Sequence, residues 1–317
     1  MRIVVLDGFA MNPGDLNWDS LKELGEIEIY DRSSLKETAK RIANAEIVLT
    51  NKAILNKELI DGANKLKYIG VMATGYNIVD LGAAQTKNIV VTNVPSYSTA
   101  SVAQLTFAFM LELANHTAIY ADSVCKGDWM KSKDFSYQLK PIMELKDKTL
   151  AIIGFGQIGK AVAKIAIAFG LKVIASHKHP ERDQMEGVTF VDQQTCFREA
   201  DIVSLHCPLN DKNAKFVNKE LLATMKPTAF LINTSRGGLI NEHDLAEALN
   251  KEMIAGAALD VLSAEPPVTS NPLLHAKNCL ITPHIAWATF EARSRLMNVV
   301  VNNIKYFLEG NPEHVVK

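Results

Sequence analysis

The sequence predicts an α/β protein made of two doubly wound parallel-sheet units, and three observations predict it. Short β-branched runs alternate with helical patterns along the whole chain, as they do when parallel strands are joined by helical crossovers. The runs are apolar almost throughout rather than every second residue, which suits strands covered on both faces. The third observation is an internal echo. "AEIVLTNKAILNKELI" (45–60) and "ADIVSLHCPLNDKNAKFVNKELL" (200–222) place strand, loop and "NKEL" helix in the same order. Two copies indicate a pair of related units and not a solenoid.

In the first unit the expected strands are "RIVVLD", "EIEIY", "EIVLT", "YIGVM" and "IVVTN". A second series begins at Lys148 with "TLAIIGFG", "LKVIAS", "DIVSLHC", "AFLINTS", "AGAALDV" and "CLITPH". Between them lies "NVPSYSTASVAQLTFAFMLELANHT", where Pro95, Ser96 and Ser98 break the pattern. Ser101 or a neighbour is expected to cap the long apolar helix that follows. From Ala288 the stretch "ATFEARSRLMNVVVNNIKYFLEG" is amphipathic and closes on Gly310 as a helix stop. With that helix packed back on the first unit, the chain crosses between units near Ser98 and near Trp287. The expected domains are 1–98 plus 288–317 and 99–287, with a cleft between them of the kind that closes about a hinge.

Bulk properties exclude several classes. A chain of 317 residues with 48% apolar and 22% charged residues is long enough for two cores and too apolar for disorder. A net charge of −1 leaves no broad footprint for nucleic acid or an anionic membrane. The opening "MRIVVLDGFA" reads as a β-strand and not a signal peptide, and no apolar run approaches the roughly 18 residues of a spanning helix. Cys125, Cys196, Cys207 and Cys279 are far apart and form no CxxC pair. A reduced, cytoplasmic protein without a disulfide framework is expected. His177 and His179 have no third ligand beside them, so no metal is expected.

"AIIGFGQIGKAVAKIAIAFG" sets Gly154, Gly156 and Gly159 as G-x-G-x-x-G directly after an apolar strand and at the start of a helix. The first glycine permits a tight turn, the second lets backbone approach a pyrophosphate, and the third allows close helix–strand packing. The helix N-terminus, with Gln157 and Ile158 among its first residues, offers free N–H groups to that pyrophosphate. In this strand–turn–helix setting the motif predicts NAD or NADP binding, and with it Rossmann/flavodoxin-like domains. The following strand ends in "VIASHKHP". Ser176, His177 and Lys178 stand where an NAD-selective site carries Asp or Glu for the ribose diol. With no acid to repel a 2′-phosphate, Lys178 or a charged His177 attracts one. As solvent-facing loop residues they leave NAD bound through the rest of the site, and the choice between NAD and NADP stays open.

Three charged residues occur at strand ends in the same half: Arg236 in "FLINTSRGGLINEHDL", Glu265 in "AALDVLSAEPP" and His284 in "CLITPHIAWAT". The carboxyl ends of strands are where doubly wound sheets bind ligands. Taken alone, a histidine in an apolar stretch is more often structural than catalytic; its company decides the matter.

That company carries a resemblance. With "GFGQIG", "INTSRGGLINE", "LDVLSAEPP" and "TPHIAWAT" in order and spacing, the chain resembles the D-2-hydroxyacid dehydrogenase family over essentially its whole length. "HIAWAT", with "ATGYNIVD" at 73–80, is most similar to the glycerate dehydrogenase (hydroxypyruvate reductase) branch. The resemblance implies that Arg236 binds the carboxylate and carbonyl of a small 2-keto acid, that His284 is the acid/base, and that Glu265 pairs with His284. It implies a second carboxylate anchor in the backbone around Ala73, Thr74 and Gly75. Cys207 and Pro208 in "LHCPLN" resemble a loop beside the adenosine, and Thr234 and Asp260 match positions near the nicotinamide. Gln104 replaces a frequent family glutamate, and no role follows for it. Lys52 either adds charge near the substrate or is a solvated loop lysine, and Trp287 either walls the substrate pocket or fills a seam. A homodimer formed through the cofactor domains, involving the helix from about Ser98, is implied as well.

The chemistry asks for these residue types independently. Reducing a 2-keto acid takes a hydride to C2 and a proton to the developing alkoxide, and histidine exchanges its proton near neutral pH. A carboxylate beside it favours the protonated ring. An arginine fork fits a planar carboxylate in two-point contact and polarises the adjoining carbonyl. Other readings are narrower. Long phosphoglycerate dehydrogenases carry further C-terminal regulatory sequence, although short ones need not. Formate dehydrogenases pair their histidine with glutamine, where this chain has Glu265. Nucleotide-sensing corepressors share the fold and the trio but depend on surface grooves and tails.

Overall fold

The computed structural model of the protein describes residues 1–317. The chain forms two compact units, Met1–Ser98 with Ala288–Lys317, and Thr99–Trp287.

In the first unit, strands β1 (Arg2–Val5), β2 (Glu26–Ile29), β3 (Ile47–Thr50), β4 (Tyr68–Val71) and β5 (Val90–Thr92) form one parallel sheet in the order β2-β1-β3-β4-β5. This is the flavodoxin-like winding. Central strands β3 and β4 are buried at every position, hence their unbroken apolar runs. Edge strand β2 instead reads "EIEI" and is partly exposed, because charge on an edge discourages pairing with another chain. The Leu35–Ile42 helix starts on a capping box in which Ser34 and Glu37 satisfy each other's backbone N–H groups. The Phe290–Leu308 helix starts on Thr289, whose side chain accepts from Ala292 N. It packs the ring of Phe307 against Tyr68 of β4, centroids 4.8 Å apart, and Asn303 donates to Asn93 O at 3.0 Å. The last thirty or so residues thus complete the core that the first hundred begin.

Winding reverses between β1 and β3, and Asp7 sits at that point. Its buried carboxylate accepts from the N–H groups of Asn51, Lys52 and Ala53 at 2.7, 2.5 and 2.7 Å. Three donors offset the cost of burying the charge and fix the loop that carries Lys52.

The second unit has seven strands: β6 (Thr149–Ile153), β7 (Lys172–Ser176), β8 (Val188–Phe190), β9 (Ile202–Leu205), β10 (Phe230–Asn233), β11 (Gly256–Leu259) and β12 (Cys279–Ile281). They form one parallel sheet ordered β12-β11-β10-β9-β6-β7-β8. Counted from β8 this is the dinucleotide-binding order 3-2-1-4-5-6 with one strand added at the far edge. Leu150 and Ile152 of β6 face a cluster with Phe107, Met110, Val162 and Ala166. Their neighbours Ala151 and Ile153 face Phe197, Val203, Leu231 and Leu245 on the other side. With both faces covered, alternation disappears from the sequence. Strand β8 is not among the expected strands: an exposed Thr189 between two half-buried edge residues gives no apolar run.

The internal echo is a structural equivalence. Strands β3 and β9 each flank the winding reversal of their sheet. Each is followed by a helix capped by the asparagine of "NKEL": Asn56 accepts from Leu59 N and Asn218 from Leu221 N, both at 3.1 Å. With the cap expected at Ser101 or a neighbour, Ser101 itself is not the one. The helix spans Thr99–Asn115, Ser101 lies inside its first turn, and its hydroxyl donates to Ala286 O at 2.5 Å. No helix is long and apolar enough to cross a membrane.

Candidate active site

At the end of β6 the three glycines have three different surroundings. Gly154 has φ +95°, and a Cβ there would meet Cys207 N at 2.6 Å and the His206 carbonyl carbon at 2.8 Å. The loop after β9 therefore rests directly on this turn, at the point where winding reverses. A Cβ on Gly156 would meet nothing within 4 Å; this glycine is the N-cap of the Gln157–Ala168 helix, and no side chain caps it. A Cβ on Gly159 would strike Gly154 O. The result is open space over uncapped helix N–H groups, which fits a pyrophosphate. The fit concerns chemistry and room, and both are present.

Cys207 and Pro208 follow directly. Ser235 Oγ donates to Cys207 O at 2.6 Å, tying this loop to the one after β10. Burial pushes the Cys207 thiol up to about 11, so it is no thiolate nucleophile. Just before it, His206 Nε2 lies 2.8 Å from Ser204 Oγ, and desolvation pushes its imidazole down to about 4.

The end of β7 differs from the expectation that it lacks an acid. The chain turns back through the short Pro180–Arg182 helix and returns Asp183 to the strand end, where Oδ2 lies 2.9 Å from His177 Nε2. Phe155 N donates to His177 Nδ1 at 3.1 Å. His177 is thus occupied on both nitrogens, and the nearest charge to it is negative. An acid seven residues beyond Ser176 could not be noticed from strand-end spacing. His179 is elsewhere engaged, 3.5 Å from Glu181, and no group of three His, Cys, Asp or Glu side chains is placed to hold a metal ion.

Arg236, Glu265 and His284 are linked through their loops. Arg236 is the exposed, extended residue before the short Gly237–Leu239 helix. Asn233 fixes the turn by accepting from Ser235 N at 3.0 Å and donating to Arg236 O at 2.9 Å. A Cβ on Gly237 would run into the backbone of Leu262 and Ser263, so the arginine turn lies on the segment leading to Glu265. Leu262 N donates to Glu265 Oε1 at 3.1 Å, and Glu265 Oε2 lies 2.6 Å from His284 Nδ1. A carboxylate only accepts, so Nδ1 carries the hydrogen and Nε2 is the nitrogen left for other work.

His284 has a left-handed backbone, φ +53°, and Asp260 holds it there. His284 N donates to Asp260 O at 2.8 Å, while the Asp260 carboxylate accepts from Thr282 Oγ1, Ile285 N and Ala286 N at 2.6, 2.8 and 2.8 Å. Burial raises this carboxyl above its usual range. The Asp260 carboxylate, at a position matched by sequence to the nicotinamide end of the site, thus also shapes the histidine turn. Thr234 is buried, with its hydroxyl 3.3 Å from that of Thr106. Trp287, half-buried, is the last residue of this unit.

Lys52, Ala73, Thr74 and Gly75 belong to the first unit, at the carboxyl ends of β3 and β4. Asn51 bridges these two loops by donating to Met72 O at 2.6 Å. Thr74 Oγ1 donates to Val94 O at 2.9 Å.

Residues 107–286 match the family described as D-isomer specific 2-hydroxyacid dehydrogenase, NAD binding domain. A hydroxypyruvate reductase of Blautia hydrogenotrophica is 46% identical, with 100% of this chain and 99% of that protein covered. The chain belongs to the D-2-hydroxyacid dehydrogenase family. A glycerate dehydrogenase of Methylorubrum extorquens is 39% identical over 89% of this chain and 88% of its own. Among solved structures, an acyclic imino acid reductase in complex with NADPH and D-Arg superposes with a TM-score of 0.88 at 32% identity, both chains fully covered. As a family member the protein is an NAD(P)-dependent oxidoreductase of 2-hydroxy acids.

Proposed function

We propose that the protein reduces hydroxypyruvate to D-glycerate, with glyoxylate a slower substrate, and that Arg236, Glu265 and His284 are its catalytic residues. The observation that carries the reading is the 2.6 Å contact between His284 Nδ1 and Glu265 Oε2, on loops that the Arg236 turn packs against. The two relatives named for hydroxypyruvate and glycerate favour this substrate.

In this reading NAD(P)H, when bound, supplies the hydride that reduces C2 of the keto acid. Arg236 holds the substrate carboxylate with its fork and polarises the carbonyl. His284 gives the proton on Nε2 to the oxygen as charge develops there. Glu265 holds the ring by Nδ1 and stabilises its protonated form, so the donor is oriented and loaded. In the reverse direction His284 takes the hydroxyl proton. The unit 99–287 is the dinucleotide-binding domain, through Gly154, Gly156, Gln157, Ile158, Gly159, Cys207, Pro208, Thr234, Asp260 and the His177–Lys178 strand end. Residues 1–98 with 288–317 are the substrate-binding domain, through Lys52 and the backbone of Ala73, Thr74 and Gly75, and Trp287 is a further substrate-binding residue.

The protein works in this reading as a cytoplasmic homodimer. Its four cysteines are free, as in a reducing compartment. Beyond the Thr99–Asn115 helix the second unit exposes Trp129, Met130, Phe135, Leu139 and Ile142, with Met130 87% and Phe135 90% exposed. So much apolar surface in one segment suits a face covered by a second copy. Sedimentation of the purified protein tests the dimer.

The activity test is a panel of hydroxypyruvate, glyoxylate, pyruvate and phenylpyruvate, each with NADH and NADPH, followed by nicotinamide absorbance. Hydroxypyruvate should give the highest kcat/KM. A bulky or methyl-bearing keto acid in first place would overturn the substrate assignment, and no turnover with any of them would overturn the enzyme itself.

A further inference from the structure

The carboxyl end of β7 carries a charge arrangement that the reaction above does not use. Lys160, in the opening turn of the Gln157–Ala168 helix, places Nζ 2.6 Å from Asp183 Oδ1. The other oxygen of Asp183 lies 2.9 Å from His177 Nε2, and His177 Nδ1 accepts from Phe155 N, inside the glycine turn. A nitrogen that accepts carries no hydrogen, so the ring's one hydrogen is on Nε2 and goes to Asp183. The histidine is therefore neutral in this arrangement, and the cluster holds one cation and one anion. Lys160 and, to a lesser extent, His177 hold the Asp183 carboxyl below the usual range, which keeps the anion present throughout the neutral region. The pair is accessible: Lys160 and Asp183 side chains are 33% and 25% exposed. Lys160 also lines an open hollow of about 400 Å³ with Gln157, Lys164 and Gln184.

We propose that Asp183 sets the choice between the two nicotinamide cofactors. Its carboxylate stands at the end of β7, where doubly wound dinucleotide sites discriminate ribose diol from 2′-phosphate, although it comes from the turn beyond the strand. It accepts from a diol and repels a phosphate, while Lys160 partly neutralises it and His177 fixes its position from the glycine turn. The wild-type protein accordingly prefers NADH. The proposal rests on the dinucleotide lying on the glycine turn with its adenosine towards β7.

Dissociation constants of NADH and NADPH, measured by fluorescence or calorimetry on the full-length protein, test it without reference to turnover. Adenosine 2′,5′-bisphosphate and AMP serve as probes of the adenosine end alone. Asp183→Asn removes the anion, leaves Lys160 unopposed and should move the NADH/NADPH preference about 10- to 100-fold towards NADPH, the range of one charge-assisted contact. Lys160→Met strips the cation from Asp183 and should move it the opposite way. A merely structural role would shift both cofactors together in both variants, leaving each ratio unchanged. Opposite movements, repeated with the two adenosine probes, support the proposal; ratios that stay put, or move the same way, overturn it. Should Asp183→Asn fail to fold, the Lys160→Met ratio alone decides. If the wild type binds neither dinucleotide, the cofactor reading falls and this proposal with it.

Discussion

His284 is held in a backbone region that non-glycine residues seldom occupy, at a cost of order 1–3 kcal/mol. Asp260 makes that position stable by taking the next two amides on its carboxylate. Asp260→Asn replaces one acceptor oxygen with a donor facing an N–H. It should cost about 1–3 kcal/mol of stability and lower kcat because the ring is no longer aimed. Thermal melts and steady-state kinetics on the same preparation would check this, and unchanged kcat would mean that the turn holds without its carboxylate. Arg236→Lys keeps the charge and loses the planar fork. It should raise KM for the keto acid roughly tenfold or more, as expected for a lost charge-assisted bond, and leave the NADH dissociation constant alone. Equal KM would show that a point charge suffices there.

At the scale of elements, the arginine turn lies on the Leu262–Ser263 backbone because Gly237 has no Cβ. Gly237→Ala should separate the Arg236 and Glu265 segments, with a loss of stability of about 1–3 kcal/mol as for overpacking and a larger proportional loss of kcat/KM. Normal activity in that variant would mean that the contact is slack. Most of this architecture was legible in the chain. The buried strands left unbroken apolar runs, the glycines left their spacing, and "NKEL" left its echo, since each is a local pattern. Strand β8, the helix start at Thr99 and the return of Asp183 were not legible. The first has too few buried residues to leave a pattern. The Thr99 start could not be placed because Ser101, an apt cap by type, donates to Ala286 O, far away in the sequence. Asp183 depends on how the Pro180–Arg182 turn doubles back. The hold of Asp260 on the histidine turn was not legible either, because sequence shows a carboxylate near a strand end but not which amides it faces.

For the whole molecule, His206 links pH to stability. Its folded-state pKa of about 4 lies below the usual 6.5, so the unfolded chain binds the extra proton. The contribution of this group to stability should be constant above pH 6.5 and fall as pH drops from there towards 4. His206→Gln should flatten that slope in denaturant titrations across the range; an unaltered slope would place the acid sensitivity elsewhere. The central claim for the molecule is that it is a 2-keto acid reductase in which His284 provides the proton. Comparing wild type with His284→Ala for hydroxypyruvate reduction, alongside NADH affinity of both by fluorescence, tests it most directly. The account predicts a fall in kcat of about 10²–10⁴, as for a lost general acid, with NADH affinity unchanged. Wild-type turnover in His284→Ala would contradict it and leave this histidine a structural residue.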